Sequence, residues 1–353
     1  MNLVTRAISR VCVYSGLAGL CERQRRSRQE PNVTILAYHR VGQPAVEQDG
    51  LDSRVLSVSP AGFEWQMNYI RHRFEVLSLE DLIDRVYAAQ PIPPYAAVVT
   101  FDDGYRDNYD LAYPILRRHD LPAAIFLTTG FVGGTQRLWW DELAAAIGTS
   151  QVRRAHVQGL GEIRLRTQRD RRRAMEQLRR HFKALPDDER RRQLSGLLGA
   201  LGSGLQLRAP GRPHLTWDEA RQMRQNGITF GAHTHSHPIL TRLPAEQAER
   251  EIADSKKIVE DELEQPARFF AYPNGRRGDF DACTRTMLIK HSFEAAVTMI
   301  PGSNSLASDQ PDLFALRRIY VGSDDHTVFV AKASGALEML AARFPSQMRP
   351  GTD

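Results

Sequence analysis

The stretch AAVVTFDDG (96–104) decides how this 353-residue chain folds, because a largely apolar run ends directly in two carboxylates and a glycine. Apolar runs of the same kind recur at 33–39, 123–130 and 227–233, and a helical pattern fills 244–264. Strands that alternate with helices predict a parallel sheet, whose strands are buried on both faces. Roughly six such strands in a chain of this length favour an α/β barrel over a small doubly wound sheet.

The alternation of strands and helices divides the chain into a barrel with additions. We expect residues 32–145 and 213–330 to form the barrel. Residues 146–212 are rich in arginine and lack strand signals, so we expect a helical insertion outside the barrel, which affects access rather than the chemical step. A basic leader at 1–31 and a C-terminal helix and tail at 331–353 complete the organisation.

Basic residues are concentrated in two peripheral segments, although the formal net charge is only +5. Residues 151–212 contain 16 Lys or Arg and 6 Asp or Glu, and residues 1–31 contain 6 Arg and 2 Glu. The remainder of the chain is therefore acidic. A nucleic-acid-binding body would carry a basic face of its own, so we expect no nucleic-acid partner.

The N-terminal segment combines a basic start with a short apolar run from Val11 to Leu20. No apolar stretch reaches the roughly 18–20 residues that are needed to span a bilayer. We interpret the segment as an amphipathic leader that makes peripheral membrane contact through its basic residues, with a cleaved signal peptide as the alternative. The corresponding location is the cytoplasm or the surface of the inner membrane, and export to the periplasm stays open.

Several enzyme classes lack their usual sequence support. Cys12, Cys21 and Cys283 form no CxxC pair and are too few for a disulfide framework or a cysteine-based zinc module. The chain contains no GxxxxGK[ST], no GxGxxG after a strand, no HExxH and no GxSxG. Phosphate-loop, dinucleotide, zincin and serine-hydrolase chemistry are therefore not predicted.

Polar clusters follow two of the predicted strands, at the end where α/β barrels carry their catalytic groups. Asp102 and Asp103 are adjacent, and a cation beside one carboxylate would relieve their repulsion and leave the other free as a base. A plain Asp-Gly turn is the alternative for this pair alone. His233 and His237 are four residues apart, so one helical turn would put both imidazoles on one side. Two histidines and an aspartate form a catalytic zinc set with open positions.

The sequence RFFAYPNG (268–275) forms a third cluster. A guanidinium at Arg268 near the base carboxylate would keep that carboxylate ionised and oriented. The turn after Tyr272 would expose backbone N–H groups that can stabilise an oxyanion. A core strand that ends in a Pro-Asn-Gly turn explains the same residues equally well.

Together, TFDDG (100–104), HTHSH (233–237) and RFFAYPNG resemble, in order and spacing, the motifs of the polysaccharide deacetylases, which are the NodB-homology family or carbohydrate esterase family 4. AYHRVG near the start and LRRIYV near the end are similar to flanking strands of exopolysaccharide and capsule-type members. The resemblance covers residues 32–145 and 213–325. It implies a distorted (β/α)7 TIM-like barrel and a metal-dependent hydrolase. The implied reaction removes acetyl groups, N-acetyl foremost, from a polysaccharide or its precursor in envelope or exopolysaccharide metabolism.

The resemblance also implies the roles of the charged residues in these motifs. Asp103, His233 and His237 match the metal ligands of the family, and the expected cofactor is a divalent metal, Zn²⁺ foremost. Asp102 matches the general base, and Arg268 matches the arginine that tethers it. The implied partner is an acetylated glycan substrate.

The substrate-facing residues are expected on the same rim. Pro273 and Asn274 fall where the family often has Pro-Tyr, so the oxyanion N–H would belong to Asn274, directly after Tyr272 and Pro273. Trp140 could line the cleft, because aromatic faces stack on sugar rings; a core tryptophan at a helix start is the alternative.

One departure from the family concerns the general acid. Many members end with a Leu-x-His motif whose histidine donates the proton, whereas the matching strand here begins Leu316-Arg-Arg318. Arginine keeps its proton at working pH. His39 ends an apolar strand and is therefore the expected acid, with a substrate-contacting or structural role as the alternative.

Three other functions stay open at this point. A carbohydrate-binding protein could retain the fold without activity, and an O-acetyl esterase would use the same site. A glycoside hydrolase would need two carboxylates roughly 5–9.5 Å apart across a sugar, and the adjacent Asp102 and Asp103 suit that arrangement poorly.

Overall fold

A curled, mostly parallel sheet of short strands lies at the centre of the molecule. The computed structural model describes residues 3–27, 32–42, 56–202, 212–306 and 311–343. The strands within these ranges are β1 (Asn32–Tyr38), β2 (Arg40–Val41), β3 (Leu56–Val58), β4 (Glu75–Val76), β5 (Ala96–Phe101), β6 (Ala123–Leu127), β7 (Arg154–Val157), β8 (Gly161–Arg164), β9 (Ile228–Ala232), β10 (Phe269–Ala271), β11 (Ala295–Val297), β12 (Asn304–Ser305) and β13 (Ile319–Tyr320).

The order of the strands is that of a distorted (β/α)7 barrel, as the sequence predicted. The strands β11, β10, β9, β6, β5 and β1 pair in parallel in that order. The strand β13 pairs in parallel with β1, and a bridge from Leu316 to Val297 continues this seventh strand beside β11. Two short strands extend the sheet, β12 antiparallel to β1 and β4 parallel to β5.

Helices follow most of the barrel strands and cover the sheet. They are α1 (Leu3–Tyr14), α2 (Leu17–Ser27), α3 (Pro60–Arg73), α4 (Leu79–Tyr87), α5 (Tyr113–His119), α6 (Trp139–Thr149), α7 (Gln168–Ala184), α8 (Asp187–Ala200), α9 (Trp217–Arg224), α10 (Ala245–Leu263), α11 (Ala282–Lys290), α12 (His326–Ala333) and α13 (Ala336–Arg343). A π-helical turn (Asn108–Ala112) and three 3₁₀ turns (Thr129–Phe131, Leu240–Arg242 and Leu313–Ala315) complete the description.

Local sequence explains the elements that place the site. Every residue of β5, β6 and β9 is buried, as expected for strands covered on both faces. Ser59 caps α3 by accepting a 3.1 Å hydrogen bond from the Gly62 N–H, and Pro60 occupies the first helical turn. Ser78 caps α4 in the same way. Capping serines thus fix where these two helices begin, shortly after β3 and β4.

The insertion differs in part from its sequence-based prediction. It contains α7 and α8, but also an antiparallel hairpin of β7 and β8, so the prediction that 146–212 lacks strands is wrong. Only Ala155 and Val157 of β7 are buried, and so short an alternation does not stand out among arginines. The hairpin does not join the barrel; residues 203–211 lie outside the described part of the chain.

The two N-terminal helices pack against the two C-terminal ones. Cys12 and Cys21 of α1 and α2 share an apolar cluster with Ala331 and Ala336 of α12 and α13. The helices α6 and α12 run across the boundaries that the sequence suggested at positions 145 and 330. The predicted tail at 344–353, and the ends of the leader, lie outside the described residues. Among the described helices, none has an apolar stretch long enough to cross a membrane.

Candidate active site

The carboxyl ends of β5 and β9 bring three candidate metal ligands together. Asp103 follows β5, and His233 and His237 follow β9. Asp103 Oδ1 lies 3.6 Å from His233 Nε2 and 3.3 Å from His237 Nε2. One ligand atom from each of the three residues lies within 4.8 Å of the other two. The set of residues is therefore the one that the sequence predicted.

The two histidines converge through a loop and not through a helical turn. Thr234 and His237 have left-handed backbone conformations, with φ of 63° and 60°. Glu251 of α10 fixes this loop, because its carboxylate accepts hydrogen bonds of 2.8 Å from the N–H groups of His235 and Ser236. The helical-turn argument for the pair is therefore wrong, although both imidazoles reach Asp103.

Asp103 is a buried carboxylate that lacks a hydrogen-bond donor. Its side chain is 1% exposed, and neither of its oxygens has a hydrogen-bond partner among the described residues. Burial raises the pKa of Asp103 well above its ordinary value, and the neighbouring Asp102 raises it further. Buried polar groups are normally satisfied, so this orphaned carboxylate fits a cation that would neutralise it.

The two imidazoles are oriented as metal ligands. His233 Nδ1 lies 2.6 Å from the Ala271 carbonyl oxygen, which assigns the proton to Nδ1 and leaves the Nε2 lone pair facing Asp103. Burial lowers the pKa of both His233 and His237, so both imidazoles are neutral at pH 7. One carboxylate and two neutral imidazoles are a donor set that suits Zn²⁺ and related divalent ions.

Asp102 is held by a bidentate ion pair with Arg318. Arg318 Nη1 and Nη2 donate to the two carboxylate oxygens at 2.7 and 2.6 Å, and both side chains are buried. Burial alone would raise the pKa of Asp102, but the Arg318 guanidinium holds it below its ordinary range. Arg318 is itself oriented by Thr100 Oγ1 and by the Thr298 carbonyl. Asp102 is therefore ionised and fixed beside the three candidate ligands.

Arg268 does not tether Asp102, and this part of the prediction is wrong. Its guanidinium pairs with Glu294, at 2.8 and 2.6 Å, and with Asp84. The physical reason is position along the strand. Arg268 precedes β10, so it lies at the amino end of a parallel strand. Arg318 lies within the seventh strand, between the Leu316 bridge and β13, which pairs with the carboxyl half of β1. Arg318 was missed because an arginine before the two-residue β13 gives no sign of the direction of its side chain.

His39 lies on the predicted rim, next to the carboxylate of Asp102. Its Nε2 is 4.0 Å from Asp102 Oδ2, and its ring contacts Tyr320 edge to face. Burial lowers the pKa of His39 to about 4, so the imidazole is uncharged at neutral pH. An uncharged imidazole is a poor proton donor compared with imidazolium. The acid role of His39 stays a prediction.

The turn after β10 places Asn274, but not the side chain of Tyr272, at the rim. Asn274 has a left-handed φ of 61°, and its side-chain amide donates to Asp279. The Tyr272 ring is fully buried in an apolar cluster, and its hydroxyl donates to the Phe314 carbonyl at 3.1 Å. Pro273 is also buried. Substrate contact through the side chains of Tyr272 and Pro273 is therefore wrong; the oxyanion role of the Asn274 N–H stays a prediction.

Trp140 supports a candidate ligand instead of forming a sugar platform. Its ring is 7% exposed and packs edge to face on His237 at 4.6 Å between centroids. Its indole N–H donates to the Tyr105 hydroxyl at 3.0 Å, which in turn donates to Asp141 at 2.7 Å. The buried face of α6 explains this orientation, and the core alternative for Trp140 is correct.

The insertion contributes Lys183, which the sequence did not single out. Lys183 Nζ donates a hydrogen bond to Asn274 Oδ1, and its charge acts on Asp103, His39 and His237. Burial lowers the pKa of Lys183 to about 7, with the nearby Arg179 and Arg276 as further causes. A lysine in an arginine-rich helix has no sequence signal that marks it, because only the docking of α7 brings it to the site.

The fold and this site define a class of carbohydrate-active hydrolases. A family model described as polysaccharide deacetylase matches residues 90–295, more than half of the chain. The chain therefore belongs to the polysaccharide deacetylase family, carbohydrate esterase family 4, whose members hydrolyse N-acetyl bonds of glycans.

Individual relatives agree with this membership. YxkH of Bacillus subtilis, named as a member of the same family, is 22% identical over 84% of this chain and 74% of its own length. The poly-beta-1,6-N-acetyl-D-glucosamine N-deacetylase of Escherichia coli is 32% identical over 22% of this chain and only 12% of its own length. The structure of IcaB from Ammonifex degensii aligns with a TM-score of 0.56 over 87% of this chain and 98% of its own, at 18% identity, and shares the fold.

Proposed function

We propose that the chain is a divalent-metal-dependent N-deacetylase that acts on acetylated hexosamine units of a polysaccharide or its precursor. Metal dependence is proposed because the buried carboxylate of Asp103 has no hydrogen-bond partner among the described residues and lies beside two imidazole Nε2 atoms. The proposed substrate class draws on the relative from Escherichia coli that is named for poly-N-acetylglucosamine. Zn²⁺ is the proposed ion because its preferred donors are those present here.

The reaction adds water across an amide bond. The water oxygen joins the acetyl carbon, the C–N bond breaks, and the nitrogen gains a proton, which yields acetate and a free amine. A divalent ion held by Asp103, His233 and His237 would polarise the acetyl carbonyl and lower the pKa of water. Asp102 accepts the proton of the attacking water, and the Asn274 N–H stabilises the oxyanion.

Arg318 keeps Asp102 in the state that this step requires. Its two hydrogen bonds occupy one side of the carboxylate and fix its plane. Because the Arg318 guanidinium holds the pKa of Asp102 below its ordinary range, Asp102 stays ionised at neutral pH. A fixed, ionised carboxylate beside the candidate ligands is positioned to accept a proton without reorganisation.

The leaving nitrogen requires a proton donor, and we propose Lys183 for this role. Its ammonium reaches Asn274, the proposed oxyanion residue, from the insertion. A donor is most effective when its pKa is close to the working pH, and the pKa of Lys183 is about 7. His39, the donor expected from the sequence, has a pKa of about 4 and is uncharged there.

Lys183→Arg separates proton donation from the charge and the anchoring of Lys183. Arginine retains a positive charge and can still donate to Asn274, but it keeps its proton. We expect Lys183→Arg and Lys183→Met to lower kcat for N-acetyl substrates by about 10²-fold or more. The wild-type rate should fall as pH rises through about 7, because the ammonium form is the donor.

His39→Gln is the companion variant in this experiment. It should reduce kcat less than Lys183→Arg and should keep the alkaline limb of the pH profile. Full activity of Lys183→Arg would show that Lys183 supplies only charge or anchoring. A large loss in His39→Gln together with an active Lys183→Arg would return the donor role to His39.

His237→Ala tests the proposed function itself. This variant should lose bound metal and acetate release together, because one of three protein ligands is removed. The measurements are metal content by mass spectrometry and acetate release from N-acetylglucosamine oligomers, with and without chelator. His235→Ala, which alters the same loop but no candidate ligand, should retain both.

Four outcomes would contradict the proposed function. Full acetate release after chelation, or in metal-free His237→Ala, would exclude metal dependence. Release from O-acetylated glycans alone would assign an esterase, and binding of glycans without release of acetate from either kind would assign a binding protein.

A further inference from the structure

The outward face of α1 and α2 carries exposed apolar side chains at unusual density. Of the large hydrophobic residues exposed among the described ones, five lie between positions 3 and 20, and they are Leu3 (83% exposed), Val4 (57%), Val11 (65%), Tyr14 (80%) and Leu20 (61%). Val4 and Val11 are seven apart, and Leu3 and Tyr14 are eleven apart, so they share one side of α1. These five exposed residues, four on α1 and one on α2, are called the outer face below.

The opposite side of α1 is already used for packing. Ser9 and Cys12 are buried, and Cys12 lies in the cluster formed with α12 and α13. Arg6 pairs with Asp325 at 3.9 Å, and Arg25 of α2 pairs with Glu338 at 3.1 Å. The two helices are therefore anchored to the barrel, and the outer face is not needed to hold them there.

The borders of the outer face are basic. Arg10, Arg23 and Arg26 are exposed on α1 and α2, and a groove between Gly16 and Arg73 is lined by Arg23 and Arg26. The carboxylate in this groove, Glu22, is buried and engaged by Tyr69 and Arg73. Positive charge at this border is therefore available to an anionic surface.

We propose that the outer face docks on an anionic lipid bilayer. An apolar helix face bordered by arginines is the pattern by which helices lie in the plane of a membrane interface, with the arginines at the headgroups. Charge argues against a two-fold dimer through this face, because an isologous contact would bring the same arginines together.

The helix α2 lies near the amino end of the barrel, away from the candidate site. Arg26 lies over the ring of Tyr95, 5.1 Å from its centroid, and Tyr95 precedes β5, at the amino end of the barrel. Asp102 and Asp103 lie at the opposite, carboxyl end. Substitutions on the outer face should therefore leave acetate release from soluble substrates unchanged, so that a failure of docking and a failure of the proposed function are distinguishable.

Vesicle co-sedimentation of the full chain tests the proposal. The protein should bind vesicles of phosphatidylcholine and phosphatidylglycerol (3:1) but not phosphatidylcholine alone, and binding should weaken in 0.5 M salt. Arg10→Gln/Arg23→Gln should reduce partitioning about 30-fold. Val11→Glu/Tyr14→Glu should reduce it by about 10-fold or more.

Matched controls distinguish binding through the outer face from nonspecific binding through other apolar or basic residues. Ile289→Glu removes an equally exposed apolar residue elsewhere (59%), and Arg172→Gln/Arg180→Gln removes two exposed arginines from the insertion; both should bind vesicles normally. Loss of binding in the insertion variant alone would overturn the proposal. Absence of vesicle binding would also overturn it. If the protein instead formed a concentration-dependent dimer that Val11→Glu/Tyr14→Glu dissociates, the outer face would be a contact between two copies of the chain.

Discussion

Replacing Asp102 with asparagine is expected to lower kcat by about 10²–10⁴-fold while the metal content of the protein stays unchanged. The asparagine side chain has the same shape, and none of the three candidate ligands is altered. What is lost is the ionised oxygen that accepts a proton from water. The measurements are kcat at saturating substrate and metal content of the same preparation.

Asp107→Asn is the matched control for this prediction. Asp107 is also adjacent to an arginine, with Arg40 Nε at 2.7 Å from Oδ2, but it lies outside the group of candidate ligands. This variant should lose less stability than Asp102→Asn, because the Arg40 side chain is 39% exposed, and it should retain kcat. A rate for Asp102→Asn close to that of Asp107→Asn would show that the base lies elsewhere.

The strands and the metal set could be predicted from sequence because their signals are local. The run at 96–101 is apolar except for Thr100, and a run that long before a carboxylate pair predicts a buried parallel strand with polar groups at its carboxyl end. The same logic applies to the run that ends at His233. Barrel geometry then brings residues from separate strands to one rim, whatever the conformation of the loop that carries His237.

The residues that were missed depend on contacts between distant segments. Arg318 and Arg268 both precede short apolar strands, and nothing in the sequence distinguishes the one that points into the barrel from the one that reaches the surface. Lys183 reaches the site only because α7 docks over it, 91 positions away from Asn274 along the chain. Trp140 could have been assigned to the core from the apolar face of α6, but its contact with His237 could not.

Arg318→Met is expected to lower the free energy of unfolding by about 3–5 kcal/mol, because it leaves Asp102 buried without its partner. Without the guanidinium, burial in the folded state would raise the pKa of Asp102. More of Asp102 would then be protonated as the pH falls toward neutrality. Turnover should accordingly fall with decreasing pH in the variant. The wild type should lack this dependence, since its Asp102 pKa lies below the ordinary range. Chemical denaturation and a pH–rate profile measure the two effects.

Arg268→Met is the counterpart that separates the two arginines. Its guanidinium is 22% exposed and pairs with carboxylates that are themselves partly exposed, so the expected loss of stability is at most about 1 kcal/mol and kcat should not change. Adding Asp102→Asn to Arg318→Met should restore part of the lost stability, because the buried charge is removed, while activity stays low. Equal stability and equal turnover in Arg318→Met and Arg268→Met would contradict the assignment of Arg318 as the residue that holds the base. A double variant no more stable than Arg318→Met would show that the unpaired carboxylate is not what destabilises it.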